Sequence, residues 1–281
     1  MTDMPQFAAR LLPSRPDLAA EELRGKVDAP RFATGQRRRV TVALLDLRAH
    51  PERGAERATQ LIRGESFTVY EVRPDGFAWG QAATDGYVGY VETAGLGPAQ
   101  AAPRRITALW SQVYDRPLVR AATGDDLPFL AAVDVAGSTG AFARLRGGGF
   151  VPSAHLAPVA GDFVTQAERL VGSPYLWGGR SPRGIDCSGL VQLALAAVGT
   201  SAPRDSDMQA AMLGVELAAG DPPRRGDLWF WKGHVGILRD PSTLLHANAH
   251  HMAVAVEPLA PAVARIEATG GGRVLARRRI V

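Results

Sequence analysis

The sequence predicts an α+β protein with two small β domains in its first half and a mixed helix and strand domain in its second half. The chain has 281 residues, which is long for one core, since domains commonly run to about 100–150 residues. A ten-residue segment recurs 60 positions later, as GYVETAGLGP at 89–98 and GFVPSAHLAP at 149–158. After Pro158 the pattern changes to helix, glycine-rich loop, helix and strands.

The N-terminal segment, residues 1–38, is predicted to be an extended arm with one helix over 17–27. The first ten residues, MTDMPQFAAR, lack the basic region and the apolar region of a secretory signal. The longest apolar run, 190–198, is far shorter than the roughly 20 residues that cross a bilayer. We therefore expect a cytoplasmic protein that does not act in a membrane.

The two β domains are predicted to span 39–98 and 106–158, with the Ala/Pro-rich segment 99–105 as linker. Each copy of the repeat follows β-rich runs, such as SFTVYEV at 66–72 and LPFLAAV at 127–133, separated by Gly and Asp turn signals. Short strands at this spacing suggest small barrels.

Composition excludes several classes of protein. Hydrophobic residues make up 46% of the chain and charged residues 21%, which is typical of a folded globular protein. The net charge of +4 comes from arginines spread along the chain, with clusters at 37–39 and 277–279 that suit solvated ends better than nucleic-acid binding. The single cysteine excludes an internal disulfide and a C-x-x-C metal site.

That cysteine, Cys187, directly precedes an apolar segment with helical spacing that ends at Gly199. Asp186 is the predicted N-cap, which places the sulfur in the first turn of the helix. Free N–H groups and the helix dipole favour an anion there, so we expect a reactive thiolate and not a buried structural cysteine.

A nucleophilic cysteine needs a base, and His234 is the candidate. It opens a predicted strand, 235–238, after a strand at 228–231 and a glycine turn. A hairpin through 240–243 would bring His246 beside it, as the group that fixes the ring tautomer. Asn248 competes for that role, because alternate residues in a strand face the same side. Trp229 and Trp231 are expected in the core.

The motifs GSPYLWGGRSPRGIDCSG, PRDSDMQ, RRGDLWFW, HVGIL and LLHANA occur in this order over 162–281 and resemble the NlpC-type family of bacterial cell-wall peptidases. The resemblance implies a papain-like catalytic domain. It implies that Cys187 is the nucleophile, His234 the base and His246 the orienting residue, with no cofactor and no metal.

The same resemblance implies substrate contacts. Tyr175 matches a tyrosine near the oxyanion and the cleft, although it could instead be a turn aromatic that packs on Trp177. Asp186 and Ser188 match residues that line the substrate subsite, or they only cap the helix. A functional and a structural role are both open for Arg204 and Asp205 in the PRDSD motif.

The two β domains resemble bacterial SH3 domains, and this pairing is similar to the subgroup that recycles murein peptides. That subgroup cleaves γ-D-glutamyl bonds to diaminopimelate or another diamino acid in peptides with a free N-terminal L-Ala. In it, a tyrosine and a glutamate of the first SH3-like domain hold the substrate ammonium. Tyr87 and either Glu52 or Glu56 are the matching residues.

Three alternatives stay open. The same Cys-His core serves muramoyl amidases and acyltransferases. The chain could be a non-catalytic wall-binding protein that uses its SH3-like domains. Finally, His246, His250 and His251 could bind zinc, although no acidic or cysteine ligand stands at a suitable spacing in the sequence.

Overall fold

The computed structural model describes residues 7–280, which form two compact units that divide between Ala157 and Pro158. Residues 1–6 and 281 lie outside the described residues, and with them most of the segment on which the prediction against a secretory signal rests. No helix in the described part of the chain is long and apolar enough to span a membrane. The division into an arm, two β domains and a catalytic domain stays a prediction.

The segment before the first sheet contains helix α1 at Ala8–Leu11, strand β1 at Ala19–Ala20, a 3-10 turn at Glu21–Leu23 and strand β2 at Phe32–Ala33. The prediction of a helix over 17–27 is therefore wrong. β1 pairs with β2 in parallel. Leu18 and Leu23 are buried in a cluster with Tyr70 and Trp79. Packing of these apolar side chains outweighs the helix propensity of the segment.

The first sheet contains seven strands. They are β3 Gln36–Val40, β4 Leu44–Arg48, β5 Arg57–Ile62, β6 Ser66–Val72, β7 Phe77–Ala82, β8 Val88–Glu92 and β9 Leu96–Pro98. Their order is β5-β4-β8-β7-β6-β3-β9. The β-rich run at 66–72 is confirmed as β6, in which Phe67 and Val69 are buried. A Cβ at Gly80 would lie 2.1 Å from the Thr68 carbonyl oxygen, so only glycine fits there.

The second sheet of this unit contains five strands. The elements after β9 are β10 Arg104–Arg105, β11 Trp110–Tyr114, β12 Ala122–Pro128, β13 Ala132–Val133, β14 Val135–Thr139, β15 Phe142–Leu145 and β16 Phe150–Pro152. The sheet has the order β12-β11-β16-β15-β14, and β10 pairs separately with β13. The β-rich run at 127–133 is divided between β12 and β13, because Leu130 has a φ of 66° that breaks the extended backbone.

The recurring sequence segment corresponds to a recurring structure. β8 is followed by a 3-10 turn at Thr93–Gly95, and β16 is followed by one at Ser153–Leu156. β8 lies between β4 and β7 in its sheet, and β16 lies between β11 and β15. The repeat therefore marks the same internal strand and turn in both sheets.

The second unit combines four α-helices and a π-helical turn at Glu267–Gly271 with a six-stranded sheet. Its elements are α2 Phe163–Glu168, β17 Arg180–Ser181, β18 Gly184–Ile185, α3 Cys187–Ala197, α4 Ser206–Met212, β19 Val215–Glu216, β20 Asp227–Trp231, β21 His234–Asp240, β22 Thr243–Asn248, β23 Ala253–Pro258, α5 Leu259–Ile266 and β24 Ala276–Arg279. The sheet order is β19-β24-β20-β21-β22-β23. The predicted hairpin of β21 and β22 is confirmed, with Leu238 opposite Leu244.

Helix α3 forms the centre of this unit and contacts β21 and β22. Every residue from Cys187 to Leu195 is buried, including Gln192, whose side chain donates to the Ala202 carbonyl at 3.1 Å. Asp186 caps the helix as predicted, since its Oδ1 accepts from the Gly189 N–H at 2.7 Å. The core thus fixes the first residue of α3 against the first residues of β21.

Candidate active site

Cys187 is the first residue of α3 and is 6% exposed. Its Sγ donates to the Gly233 carbonyl oxygen over 4.0 Å. The backbone N–H of Val235 also faces the sulfur, where it favours the charged form of the thiol. The sulfur therefore contacts backbone groups on both sides of His234, which places the nucleophile candidate next to the base candidate.

The surroundings of this thiol favour its protonated form. Burial, and secondly the Asp186 carboxylate, raise the pKa of Cys187 to about 12. The N–H groups of Val235 and Ser188 act in the opposite direction but do not compensate. Loss of water around the sulfur thus acts against the favourable helix start, and the predicted resting thiolate stays a prediction. A base must remove the thiol proton during attack.

His234 and His246 supply that base and its partner. The Nε2 atom of His234 lies 2.8 Å from Nδ1 of His246, across the β21 and β22 pair. Burial is the largest cause that lowers the pKa of both imidazoles to about 3, and the Arg265 charge acts in the same direction. Both rings are therefore neutral at pH 7 and can accept a proton.

The line continues to a residue that the sequence did not suggest. Nε2 of His246 lies 2.7 Å from Oε1 of Glu257, and Arg265 donates to the same oxygen. Glu257 stands on β23, where His246 is paired with Ala255. We call His234, His246 and Glu257 the histidine line. The available signal in the sequence was a single charged residue, Glu257, in the alternating segment AVAVEP. The partner of that residue depends on strand register, which the segment itself does not reveal.

Asn248, the competing candidate for the third position, has other partners. Its Oδ1 accepts from the backbone N–H of His251 at 2.8 Å and lies 3.0 Å from Nδ1 of that ring. Its Nδ2 donates to the His246 carbonyl over 3.4 Å. The structure brings His246 to His234, and it bonds the side chain of Asn248 to His251 in the turn that follows β22.

Asp186 and Ser188, predicted to line a subsite, belong to a buried polar network. Both oxygens of Asp186 accept from Arg204, at 3.0 Å and 2.6 Å, and Arg204 also donates to Ser188 Oγ at 2.9 Å. Asp186 Oδ2 accepts a further bond from the Gly178 N–H at 2.9 Å. These contacts fix Asp186 and Arg204 in the protein, and their role toward a substrate stays a prediction. Asp205 directly precedes α4 without a side-chain cap bond to that helix.

Tyr175 lies close to the nucleophile. Its backbone bridges to Ile185 and donates to the Met252 carbonyl at 2.9 Å. Burial, and then the neighbouring ionisable groups of Cys187 and Asp186, raise the pKa of the phenol. Its hydroxyl is therefore protonated and able to donate. The neighbouring Trp177 is 59% exposed.

The tryptophans of β20 have different surroundings. Trp231 is buried in a core cluster with Leu238 and Leu244, and its ring centroid lies 5.8 Å from that of His234. Trp229 is partly buried at the edge of the same cluster. The prediction of a core position is confirmed for Trp231, whose ring also packs beside that of His234, whereas Trp229 is only partly buried.

The residues predicted to bind the substrate amine lie in the first unit. Tyr87 is buried just before β8, and its N–H donates to Asp85 Oδ1 at 3.1 Å. Glu52 and Glu56 are exposed in the segment between β4 and β5. Their role toward a substrate stays a prediction.

One group of three possible metal ligands occurs within residues 7–280. The ligand atoms of His246, His251 and Glu257 lie within 4.8 Å of one another. His250 is not in this group, and Glu257 is the acidic neighbour that the sequence was expected to lack, so that expectation is wrong. His246 and Arg265 already occupy Oε1 of Glu257, and a cation would have to displace the guanidinium.

Comparison with protein families identifies two parts of the chain. Residues 172–267 match the NlpC/P60 family, and residues 47–96 match the bacterial dipeptidyl-peptidase Sh3 domain. The second sheet of the first unit falls outside both matches, so its SH3-like character stays a prediction.

Curated relatives match the catalytic segment. A probable endopeptidase of Corynebacterium glutamicum is 42% identical over 101 residues, which are 34% of this chain and 48% of that protein. The γ-D-glutamyl-L-lysine dipeptidyl-peptidase of Bacillus subtilis is 39% identical over 106 residues, 34% of this chain and 35% of that protein. The chain therefore spans about half or less of the length of these relatives.

A solved structure has the same overall fold. The NlpC/P60 family protein of Bacillus cereus superposes with a TM-score of 0.73 at 17% identity, over 87% of this chain and 99% of that one. The segment that holds Cys187, His234 and His246 is thus matched in sequence and in fold. Residues 172–267 therefore match the NlpC/P60 family in sequence and in fold, and they follow a segment that matches the bacterial dipeptidyl-peptidase Sh3 domain.

Proposed function

We propose that this chain is a cysteine peptidase that hydrolyses the bond between γ-D-glutamate and a diamino acid, diaminopimelate or lysine, in murein peptides with a free N-terminal L-Ala. The observation that carries the proposal is the contact of Cys187 with the backbone around His234, whose ring continues to His246. This arrangement supplies a nucleophile, a neutral base and a group that orients the base.

The reaction would proceed through a thioester. His234 accepts the thiol proton as Cys187 Sγ attacks the γ-carbonyl carbon of D-glutamate. The tetrahedral intermediate collapses when His234 returns the proton to the departing amine of the diamino acid. Water then attacks the thioester with His234 as base again, which releases L-Ala-D-Glu and the free thiol. The N–H groups at the start of α3 and the protonated Tyr175 phenol are the available donors to the oxyanion.

The preference for a γ-D-glutamyl bond is supported by the relatives. One is named a γ-D-glutamyl-L-lysine dipeptidyl-peptidase, and another, from Lysinibacillus sphaericus, is a dipeptidyl-peptidase 6 that is 36% identical over 87 residues, 31% of this chain and 32% of that protein. The family description of the first sheet also refers to dipeptidyl-peptidases. A role in the recycling of released wall peptides agrees with this substrate.

The test is incubation with L-Ala-γ-D-Glu-diaminopimelate and its lysine analogue, followed by mass spectrometry. We expect L-Ala-D-Glu and the free diamino acid from the wild type, and neither from Cys187→Ala. Iodoacetamide should abolish the reaction and EDTA should leave it unchanged, because the mechanism uses a thiol and no metal. Intact tripeptide after prolonged incubation would contradict the proposal. Release of L-Ala-peptide from muramoyl-tripeptide instead would identify an amidase.

A further inference from the structure

The histidine line ends on an acidic residue that the three catalytic positions do not include. His246 is the middle member, and its ring nitrogens lie 2.8 Å from His234 and 2.7 Å from Glu257. The side chain of His246 has no exposed surface and that of Glu257 is 14% exposed. Because water is excluded from the imidazole, the two neighbours decide which of its nitrogens carries the proton.

The chemistry of a carboxylate fixes the direction of the whole line. An ionised carboxylate only accepts hydrogen bonds, so Nε2 of His246 must be the N–H that faces Glu257. Nδ1 of the neutral His246 ring is then a lone pair and can only accept. Nε2 of His234 must therefore donate to it, which leaves the lone pair of His234 on Nδ1. That nitrogen is the only one free to take the thiol proton.

We propose that Glu257 is a positioning residue that sets the tautomer of His246, and through it the tautomer of the base His234. This inference rests on the proposed function for its catalytic consequence, although the tautomers themselves do not depend on activity. Without Glu257, neutral His246 could turn its N–H toward His234 and force the lone pair of the base away from the thiol. The nucleophile would then lose its proton acceptor in part of the molecules.

Arg265 offers a competing, purely structural explanation for Glu257. Its guanidinium donates to Glu257 Oε1, and its side chain is 22% exposed. This ion pair joins α5 to β23, so Glu257 could serve only to hold the helix. The two explanations differ in what they predict for Arg265→Met, which removes the ion pair but keeps the carboxylate beside His246.

The experiment compares Glu257→Leu, Glu257→Gln and Arg265→Met with the wild type, and Glu168→Gln is the matched control. Glu168 also pairs with two arginines, Arg225 and Arg239, but lies outside the histidine line. We expect Glu257→Leu to lower kcat by about tenfold to a hundredfold, as when the outer partner of a functional histidine is removed. KM should change by less than about twofold, because the proposed effect of Glu257 passes through His246 to the base and not to the bound substrate.

The conservative variant should recover part of the loss. The amide oxygen of Glu257→Gln can still accept from His246 Nε2, so this variant should be more active than Glu257→Leu. If Glu257→Leu does not fold, Glu257→Gln still tests the proposal. Glu168→Gln should keep the wild-type kcat. A loss in Arg265→Met as large as that in Glu257→Leu would favour the structural explanation and overturn ours.

Coupling to His246 provides the sharper test. If Glu257 acts only through His246, Glu257→Leu made in a His246→Ala background should change kcat by less than about twofold. Independent, additive losses would overturn the proposal. Nitrogen-15 spectra of histidine-labelled protein report the tautomers directly. We expect both rings protonated on Nε2 in the wild type and a mixture in Glu257→Leu, and unchanged spectra would contradict the proposal even in a chain that lacks the proposed activity.

Discussion

At the scale of single residues, the side chain with the largest expected effect is Cys187. Its replacement by alanine removes one sulfur from a buried position, so the fold should be kept. Turnover of the murein tripeptide should fall more than about a thousandfold, the scale of loss of a catalytic nucleophile. Steady-state kinetics would measure the loss of turnover, and a thermal melt would check that the fold is kept. Retention of more than about a tenth of the activity would rule out the cysteine mechanism.

The protonation state of the same thiol can be measured by alkylation. Burial raises the pKa of Cys187 to about 12, so the thiolate fraction below that pH is small and grows about tenfold for each pH unit. The rate of iodoacetamide labelling should therefore rise continuously between about pH 6 and 10. In urea the pKa returns toward its ordinary 9.0, and the rate should level off above that pH. A rate that is flat below pH 8 in the folded protein would indicate a preformed thiolate and imidazolium pair.

The third catalytic position is tested by comparing His246→Ala with Asn248→Ala. His246 bonds to the base, whereas Asn248 bonds to His251. We expect His246→Ala to lower kcat strongly but less than His234→Ala, because an orienting group contributes less than the base itself. Asn248→Ala should have the smaller effect of the two strand residues. The reverse order would exchange their assignments.

How far sequence reasoning reaches at this scale depends on how local the cause is. Cys187 and Asp186 are adjacent, and the helix cap follows from their identity. The contact of His246 with His234 depends on one hairpin, which its short turn makes predictable. The contact of Glu257 with His246 depends on the register of a third strand, which no local pattern fixes. The burial that raises the pKa of the thiol was not predictable, because it depends on what packs over the helix start, and helix position alone favours the thiolate.

At the scale of elements, the buried ion pair of Arg204 and Asp186 joins α3 to the loop before α4. The Arg204 side chain is 1% exposed and that of Asp186 is 10% exposed. Arg204→Met would leave a buried carboxylate without its partner, which costs about 3–5 kcal/mol. We expect the free energy of unfolding in urea to fall by that amount. Arg239→Met, which breaks an ion pair of a half-exposed arginine in the same unit, should cost less than about 1 kcal/mol.

Equal losses in the two arginine variants would show that Arg204 contributes no more than a surface charge.

Elements whose pattern is strong were predictable, such as α3, the strands at 227–240 and β6. The helix expected at 17–27 was wrong, because its apolar side chains are buried as short strand and turn. The run at 127–133 was divided at Leu130, whose positive φ is set by its surroundings and not by its residue type.

At the scale of the whole molecule, the proposed substrate carries a free N-terminal amine. We predict that N-acetylation of L-Ala-γ-D-Glu-diaminopimelate lowers kcat/KM by at least about a hundredfold, because it deletes the charge that a recognising carboxylate would pair with. Competition between the two peptides in one assay gives the ratio directly. The same comparison with the variants Tyr87→Phe, Glu52→Gln and Glu56→Gln would show which side chains of the first unit contribute to the preference for the free amine. Rates within about tenfold of each other would exclude a requirement for the free amine.

The repeat of 60 positions was the most informative long-range feature of the sequence, since both copies are an internal strand and its 3-10 turn. What it did not reveal is how the strands of each sheet are ordered. Strand order follows from pairing between distant segments, and in the first sheet β3 joins β6 and β9. A recurring motif identifies a repeated unit more readily than it identifies the fold of that unit.

The burial of Cys187 also bears on oxidative damage. The chain has one cysteine, so a sulfenic acid formed on it would find no second thiol in the same molecule to rescue it as a disulfide. Peroxide attacks the thiolate, and the raised pKa keeps that form scarce while no substrate is being processed. We therefore expect Cys187 in the folded protein to react with peroxide more slowly at about pH 7 than at about pH 9, where the thiolate fraction is larger. The feature that makes the thiol depend on His234 for attack would also protect a nucleophile that the chain cannot repair by itself.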